Sequence, residues 1–383
     1  MKNNKLLLTL LPLALSSLAA SQASATIELY NQDGTRFSTD GLINAFYTQS
    51  DIDGGPNGDR DQARVRMGFL PNWIAFDVAK EAGDLSLGAR SSFWVTINDN
   101  DVVRGAEGLG TRSGIDVRQF YGTVDGSFGQ VLIGKDFALF GRTNIMSDEL
   151  LLGHGQVSDT LGLVDGGNVS FGNIGSGYLY PFPVAQISYR TPERAGFQLA
   201  AGIMDPNKSD AGSSEDLPRF EAELTWARAF DGGSVKTWVG GLYQSSETDT
   251  EEVDSSGVAG GANLRLGGLS LTASGFDGEG LGTVAGLTNL VTSEDNQVSG
   301  YLTQASYTLG ANRFVLSYGE NESSDDPLLG GADAEYENTA VAWFHDVNDN
   351  LKLVAELNRT EVTLDGADFE ETDTIAVGAV LTW

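Results

Sequence analysis

The sequence predicts an all-β fold, a transmembrane antiparallel β-barrel of about 16 strands. Three observations predict it. From residue 26 onward the hydrophobic pattern alternates with the period of two that belongs to a strand. The alternating stretches run roughly ten residues, which a tilted strand needs to cross a bilayer. Short reversals and longer acidic segments alternate between them, so one rim of the sheet carries tight turns and the other carries loops.

The elements follow in order. Residues 1–25 read as a secretory signal peptide: Lys2 and Lys5 supply the positive start, Leu6 to Leu18 the apolar stretch, and Ala23-Ser24-Ala25 the cleavage box. A single barrel domain is expected over 26–383, with the mature chain starting after Ala25. No later apolar run is long enough for a helical span. Strands are predicted at 37–49, 62–80, 83–98, 115–125, 129–135, 183–191, 195–204, 217–230, 233–247, 255–267, 268–277, 296–309, 312–322, 334–346, 350–363 and 371–383. Phe220, Ala222, Leu224 and Trp226 alternating with Glu221, Glu223 and Thr225 show the pattern. Pro71 marks where 62–80 would split. Tight turns are read at 81–83, 125–127, 192–196, 231–233, 267–268, 310–312 and 348–350. Longer segments are read near 50–61, 99–114, 136–182, 205–216, 247–254, 278–295, 323–333 and 364–370. An even number of antiparallel strands lets the first pair with the last, which removes the open edges that hydrocarbon does not tolerate. Aromatics near strand ends, among them Tyr47, Trp73, Tyr189, Trp226 and Tyr243, suit interfacial girdles.

Composition narrows the function. The 383 residues carry 53 acidic and 23 basic side chains, a net charge of -30, which would repel nucleic acid. Zero cysteines exclude disulfide scaffolds, zinc–thiolate centres and cysteine nucleophiles. A hydrophobic fraction of 40% is too rich for a disordered acidic chain. His154 and His345 are the only histidines and neither lies in a recognisable Ser/Asp arrangement, so no enzyme and no catalytic residue is expected. The acidic stretch from Asp51 to Asp59 lacks an EF-hand's twelfth-position Glu. No cofactor or metal centre is expected, beyond loosely held divalent cations at the acidic loops.

Several stretches carry a resemblance. Ile27-Glu28-Leu29-Tyr30-Asn31 with Gly34, Met67-Gly68-Phe69-Leu70-Pro71-Asn72-Trp73, Arg118-Gln119-Phe120-Tyr121-Gly122, and Phe128-Gly129-Gln130-Val131-Leu132-Ile133-Gly134-Lys135 resemble the Gram-negative trimeric general porins, over essentially all of 27–383. The resemblance implies a 16-stranded outer-membrane barrel, a homotrimer, and a constriction loop after the fifth strand, where the longest connection, 136–182, falls. Asp136-Phe137-Ala138-Leu139-Phe140-Gly141 opens that connection in place of the short motif common in enterobacterial loops. Segment 99–114 would be the latch over a neighbouring copy. The terminal strand, with Ile375, Val377, Ala379, Leu381 and Trp383 alternating outward, resembles the signal by which the barrel-assembly machinery recognises its clients, although these usually end in Phe. The implied partners are outer-membrane lipid, lipopolysaccharide and that machinery.

Alternation places Arg64 and Arg66 on one face, opposite Val65, Met67 and Phe69. Facing lipid at mid-bilayer, each arginine would cost roughly 2–4 kcal/mol, so the lumen is assigned to them. Arg90 and Arg118 point inward by the same parity. The resemblance implies that this wall faces the long constriction loop folded into the lumen, which offers Asp148, Glu149, Asp159 and Asp165, an arrangement that would set a transverse field across the constriction. Glu221, Glu223, Glu335, Glu337 and Glu356 are read as further inward acids, with Arg190, Arg265 and Arg313 as inward bases. The lopsided loop acids predict a weak cation preference. The expected function is passive diffusion of small hydrophilic solutes and ions through a water-filled outer-membrane channel. The alternatives are a substrate-selective channel of the same fold, or a secreted soluble acidic β-protein such as an adhesin or lectin.

Overall fold

A computed structural model describes residues 26–98, 115–164, 171–208, 212–249, 252–281, 296–326 and 330–383. Residues 1–25, read as a signal peptide, and the candidate latch lie outside the described residues. Among these residues the strands are β1 (Ile27–Gln32), β2 (Thr35–Gly54), β3 (Arg60–Arg66), β4 (Asn72–Ala82), β5 (Leu85–Val95), β6 (Asp116–Gly126), β7 (Gly129–Phe137), β8 (Pro183–Arg190) and β9 (Phe197–Met204). They continue as β10 (Arg219–Phe230), β11 (Gly233–Glu247), β12 (Glu252–Leu266), β13 (Leu269–Glu279), β14 (Gln297–Leu309), β15 (Asn312–Asp326), β16 (Ala332–Asn348), β17 (Leu351–Leu364) and β18 (Ala367–Thr382). One short helix, α1 (Arg142–Met146), lies in the connection after β7.

These segments form one closed antiparallel barrel of 16 strands. β3 and β4 count as a single barrel strand, because β3 pairs with the upper half of β2 and β4 with its lower half. Closure comes from β18 against β2, from Thr382↔Leu42 up to Glu370↔Gly54. β1 adds a hairpin below the end of β18 that covers the base of β2, a strand the alternation does not predict.

The break between β3 and β4 falls at Pro71, which cannot donate to a ladder. Met67 and Phe69, expected to face outward with Val65, instead turn inward and are buried, while Val65 is 69% exposed. Side chains satisfy the freed backbone groups: Asn44 Oδ1 accepts from Gly68 N–H at 2.6 Å, Asn44 Nδ2 donates to Leu70 C=O at 2.7 Å, and Asn98 Oδ1 accepts from Met67 N–H at 2.8 Å.

The strands also run further toward the loop rim than alternation of apolar residues predicts. Segments read as loops at 247–254, 323–333 and 364–370 are mostly strand, and the last shrinks to a two-residue turn, Asp365-Gly366. Both turn residues have positive φ, 51° and 75°, the geometry of a type I′ hairpin. Polar residues hide the strand there, but the hydrogen-bond ladder continues into water regardless of what the side chains face.

Outward positions carry the apolar band, with Phe120, Ile187, Val258, Leu316, Leu357 and Ile375 all exposed. Inward positions are largely Ser, Thr, Asn and Gln. The buried apolar core therefore lies between the inner wall and the long loop: Phe69, Trp94, Phe137, Ile145, Leu151, Phe171 and Tyr180 cluster there, and the Trp73 and Trp94 rings meet at 4.6 Å. Among the described residues no helix is long and apolar enough to cross a membrane.

Candidate functional site

Residues 138–182 leave β7, fold into the barrel and return to β8, and most of their described side chains are buried. A segment of irregular backbone carries many N–H groups that no ladder satisfies, and burying one without a partner costs about 1–3 kcal/mol. The wall supplies the partners as carboxylates. Glu221 on β10 accepts from the backbone N–H of Leu139 at 2.6 Å and Phe140 at 2.8 Å, and Glu223 from Thr143 at 3.2 Å. Glu356 on β17 accepts from His154 and Gly155, both at 2.9 Å. Glu370 on β18 accepts from Asp159 and Thr160, both at 2.7 Å. Between these, Gln304 Oε1 accepts from Glu149 N–H at 2.7 Å and Asn321 Oδ1 from Gly177 N–H at 2.6 Å. The loop is thus held from β10, β14, β15, β17 and β18 by side chains that alternation turned inward.

The loop's own acids are occupied in turn. Asp148 is buried and accepts from Tyr178 Oη at 2.6 Å, Gln304 Nε2 at 2.7 Å and Asn173 Nδ2 at 2.9 Å. The Tyr178 hydroxyl, buried and facing the Asp148 charge, is held protonated well above its usual range. Glu149 reaches across to β15 and β13, pairing with Arg313 at 2.9 Å and accepting from Ser270 Oγ at 2.6 Å. Asp159 pairs with Arg60 and accepts from Asn57 at 3.0 Å. Asp165 lies outside the described residues.

The arginines expected to oppose these acids are placed as follows. Arg64 and Arg66 stand on the inner face of β3, and Arg66 donates to the Leu163 carbonyl of the loop. Arg90 faces inward but is paired within the wall, with Asp77 at 2.7 Å and Asp40 at 2.8 Å. A register shift between Ser92 and Trp94 brings Arg118 inward beside Gln119. There it pairs with Asp116 at 2.7 Å, donates to Tyr180 Oη at 2.9 Å and lies 5.0 Å from the Trp94 ring centre. Among the described residues, Asp159 and Glu149 form their ion pairs with Arg60 and Arg313. Glu335 and Glu337, expected in the lumen, do not face it. On β16 the inward set is Ala334, Tyr336, Asn338, Ala340, Ala342 and Phe344, so both glutamates face outward with Val341.

At the terminal strand Ile375, Val377 and Leu381 are exposed on the outer face, with Ala379 between them. Trp383 exchanges backbone hydrogen bonds with Gly41, at 3.0 and 3.2 Å, and its ring lies over that glycine. A Cβ at Gly41 would stand 2.2 Å from the ring.

A 16-stranded barrel with its longest connection folded inside is also what the comparisons with known proteins return. The pattern of the Gram-negative porins matches residues 8–364. The chain belongs to the Gram-negative porin family. Outer membrane protein U of Vibrio parahaemolyticus is 23% identical over 331 residues, 83% of this chain and 81% of that one. Among solved structures, an anion-selective porin from Comamonas acidovorans superposes with a TM-score of 0.67 at 14% identity, covering 91% of this chain and 100% of that one. The outer-membrane channel DcaP of Acinetobacter baumannii gives 0.64 at 16% identity, covering 92% and 99%. The protein is therefore an outer-membrane channel for passive diffusion.

In this porin the loop divides the lumen. Between the loop and the short-turn rim lies a cavity of about 890 Å³ whose ceiling includes Asp148 and Glu149 and whose walls include Lys236, Asn263, Arg265, Ser270 and Arg313. Lys236 was not singled out by the sequence, although it sits two residues before the inward Trp238 and shares its parity. The loop-holding role of Glu221, Glu223, Glu356 and Glu370 was also not legible, since each partner lies 80 or more residues away.

Proposed function

We propose that the loop 138–182 is the sieve of this diffusion channel, admitting small hydrophilic solutes and ions while the barrel wall stays fixed. What supports this reading is the ring of hydrogen bonds from Glu221, Glu223, Glu356 and Glu370, which fixes the loop's path inside the lumen. The outward apolar band sets the barrel in lipid and disfavours the soluble adhesin or lectin alternative. The wall arginines Arg64, Arg66, Arg90 and Arg118 then shape the loop's support and local field, and the channel needs no catalytic step. Assembly as a homotrimer is part of the proposal, as in the trimer form recorded for OmpT of Vibrio cholerae. So are cleavage near Ala25, recognition of the terminal strand by the assembly machinery, and lipopolysaccharide around the outer rim with divalent cations between its phosphates and the outward acids.

Planar-bilayer recording of the purified protein tests the sieve. Conductance in steps of three is expected, and excision of 144–160 should raise the size cut-off for neutral sugars in liposome swelling. An unchanged cut-off in a folded excision variant would overturn the assignment.

A further inference from the structure

We infer that the lower lumen is an anion path, and that Arg190, Lys236 and Arg265 make this acidic porin select small anionic solutes such as carboxylates and phosphate. The inference rests on the channel reading and adds the solute class.

The three bases stand on the inner faces of β8, β11 and β12. Among the described residues none of them has an ion pair, and none donates a hydrogen bond to a side chain. Lys236 and Arg265 line the cavity below the loop, where Arg313 joins them from β15. Lys236 lies within the field of Arg142, Arg190 and Arg265 as like charges, with Glu223 as the opposing one. Clustered unpaired bases are costly unless water or a mobile anion meets them, and a low-dielectric wall focuses their field into the lumen.

Asp148 and Asp346 also line this cavity, but Asp148 accepts from Tyr178, Gln304 and Asn173 and Asp346 pairs with Lys352; the other nearby carboxylates are turned outward or engaged. On β11 to β13 every strand acid (Glu247, Glu252, Asp254, Asp277 and Glu279) falls on the outward set of positions, and β14 has none. Glu223 is spent on the Thr143 N–H and Asp136 on Arg142 and Gln119. Glu149 faces the cavity but is neutralised by Arg313 at 2.9 Å. Outward carboxylates sit in the external water, beyond the wall, where salt screens them over about 8–10 Å. The net charge of -30 therefore does not describe the path a solute takes. The weak cation preference expected from composition is replaced by an anion preference set by three positions.

Reversal potentials of the full-length porin in planar bilayers under a potassium chloride gradient decide it. The wild type is expected to favour chloride. The triple variant Arg190→Gln, Lys236→Gln, Arg265→Gln should lose that preference several-fold, and Glu335→Gln with Glu337→Gln should leave it unchanged. Heat-modifiable migration reports folding of each variant. Should the triple variant not fold, Lys236→Gln alone, which has no hydrogen-bonded partner to lose, must lower the chloride preference. Inorganic phosphate added to one side should reduce the chloride current of the wild type more than that of the variant. A wild type that favours potassium, or a folded variant with the wild-type ratio, overturns the inference and leaves the channel reading standing. A folded wild type that passes no current overturns both.

Discussion

Glu356→Gln isolates the force that holds the loop. The carboxylate is buried, its two oxygens accept from the His154 and Gly155 N–H groups at 2.9 Å each, and Asn358 Nδ2 lies 3.2 Å from one of them. A glutamine has one acceptor oxygen, so one N–H loses its partner and meets an amide donor instead. A hydrogen bond to a charged group contributes about 1.5–3 kcal/mol, so one such loss should favour local opening of this stretch by roughly ten- to a hundred-fold. The barrel ladder is untouched: β17 keeps its pairing with β16 and β18, and global melting in detergent should move little. Hydrogen exchange read by mass spectrometry should therefore show faster exchange at residues 153–156 with no change in the strands. Single-channel records should show added open-state noise as the loop fluctuates. Glu356→Ala, which removes both acceptors, should exceed both effects. Unchanged exchange at 153–156 in the glutamine variant would refute the idea that wall carboxylates hold the loop.

Further expectations follow from the same structure. Gly41→Val should obstruct closure of β18 on β2, because a side chain there meets the Trp383 ring at 2.2 Å; the heat-resistant folded fraction on gels should fall, and Trp383→Ala should restore part of it. His154 is fully buried, and burial with the nearby Arg66 charge lowers its pKa from 6.5 to about 3. The folded state thus binds fewer protons than the unfolded one below pH 6.5, so the loop's contribution to stability is complete above 6.5 and declines as pH falls toward 3. Protease sensitivity of the loop should rise across that window in the wild type, and His154→Phe should flatten the rise; a parallel profile in both would count against it. On the outer face Glu320 stands opposite Glu337, Glu337 opposite Glu361, Glu361 opposite Glu371 and Glu371 opposite Asp53. Like charges directly across strands are destabilising, so millimolar magnesium should raise the melting temperature of the purified barrel, and Glu337→Gln with Glu361→Gln should abolish the rise.

What the sequence made legible and what it hid divide along physical lines. A strand's phase is local: two-residue alternation and bilayer thickness together located the sixteen wall strands, because each needs only its own side chains to declare inside and outside. Where a local rule was broken, the reading slipped. Pro71 ended a ladder, and Met67 and Phe69 turned inward with it. Glu335 and Glu337 were assigned to the lumen, although counting back in twos from the lipid-facing Val341 places both outside. The loop's partners had no local signal at all, since Glu356 meets His154 across 202 residues and Glu370 meets Asp159 across 211. Only closure of the barrel brings those groups together.

The same closure explains how a chain this acidic can present bases to its solutes. A barrel has two polar compartments, the lumen and the outer rim above the lipid band, and a carboxylate acts on permeation only in the first. Most lumen carboxylates have a structural assignment: Glu221, Glu223, Glu356 and Glu370 hold backbone N–H groups, and Asp40 and Asp77 share Arg90. A buried carboxylate is stable only with such partners, so each one that holds the loop is withdrawn from the solute's path by the contact that stabilises it. Lys236 and Arg265 line the lumen cavity, and neither they nor Arg190 has an ion pair among the described residues. Fixing the loop with acids and leaving the bases free are then two results of one arrangement: the interaction that narrows the channel also sets the sign of the charge that remains in it.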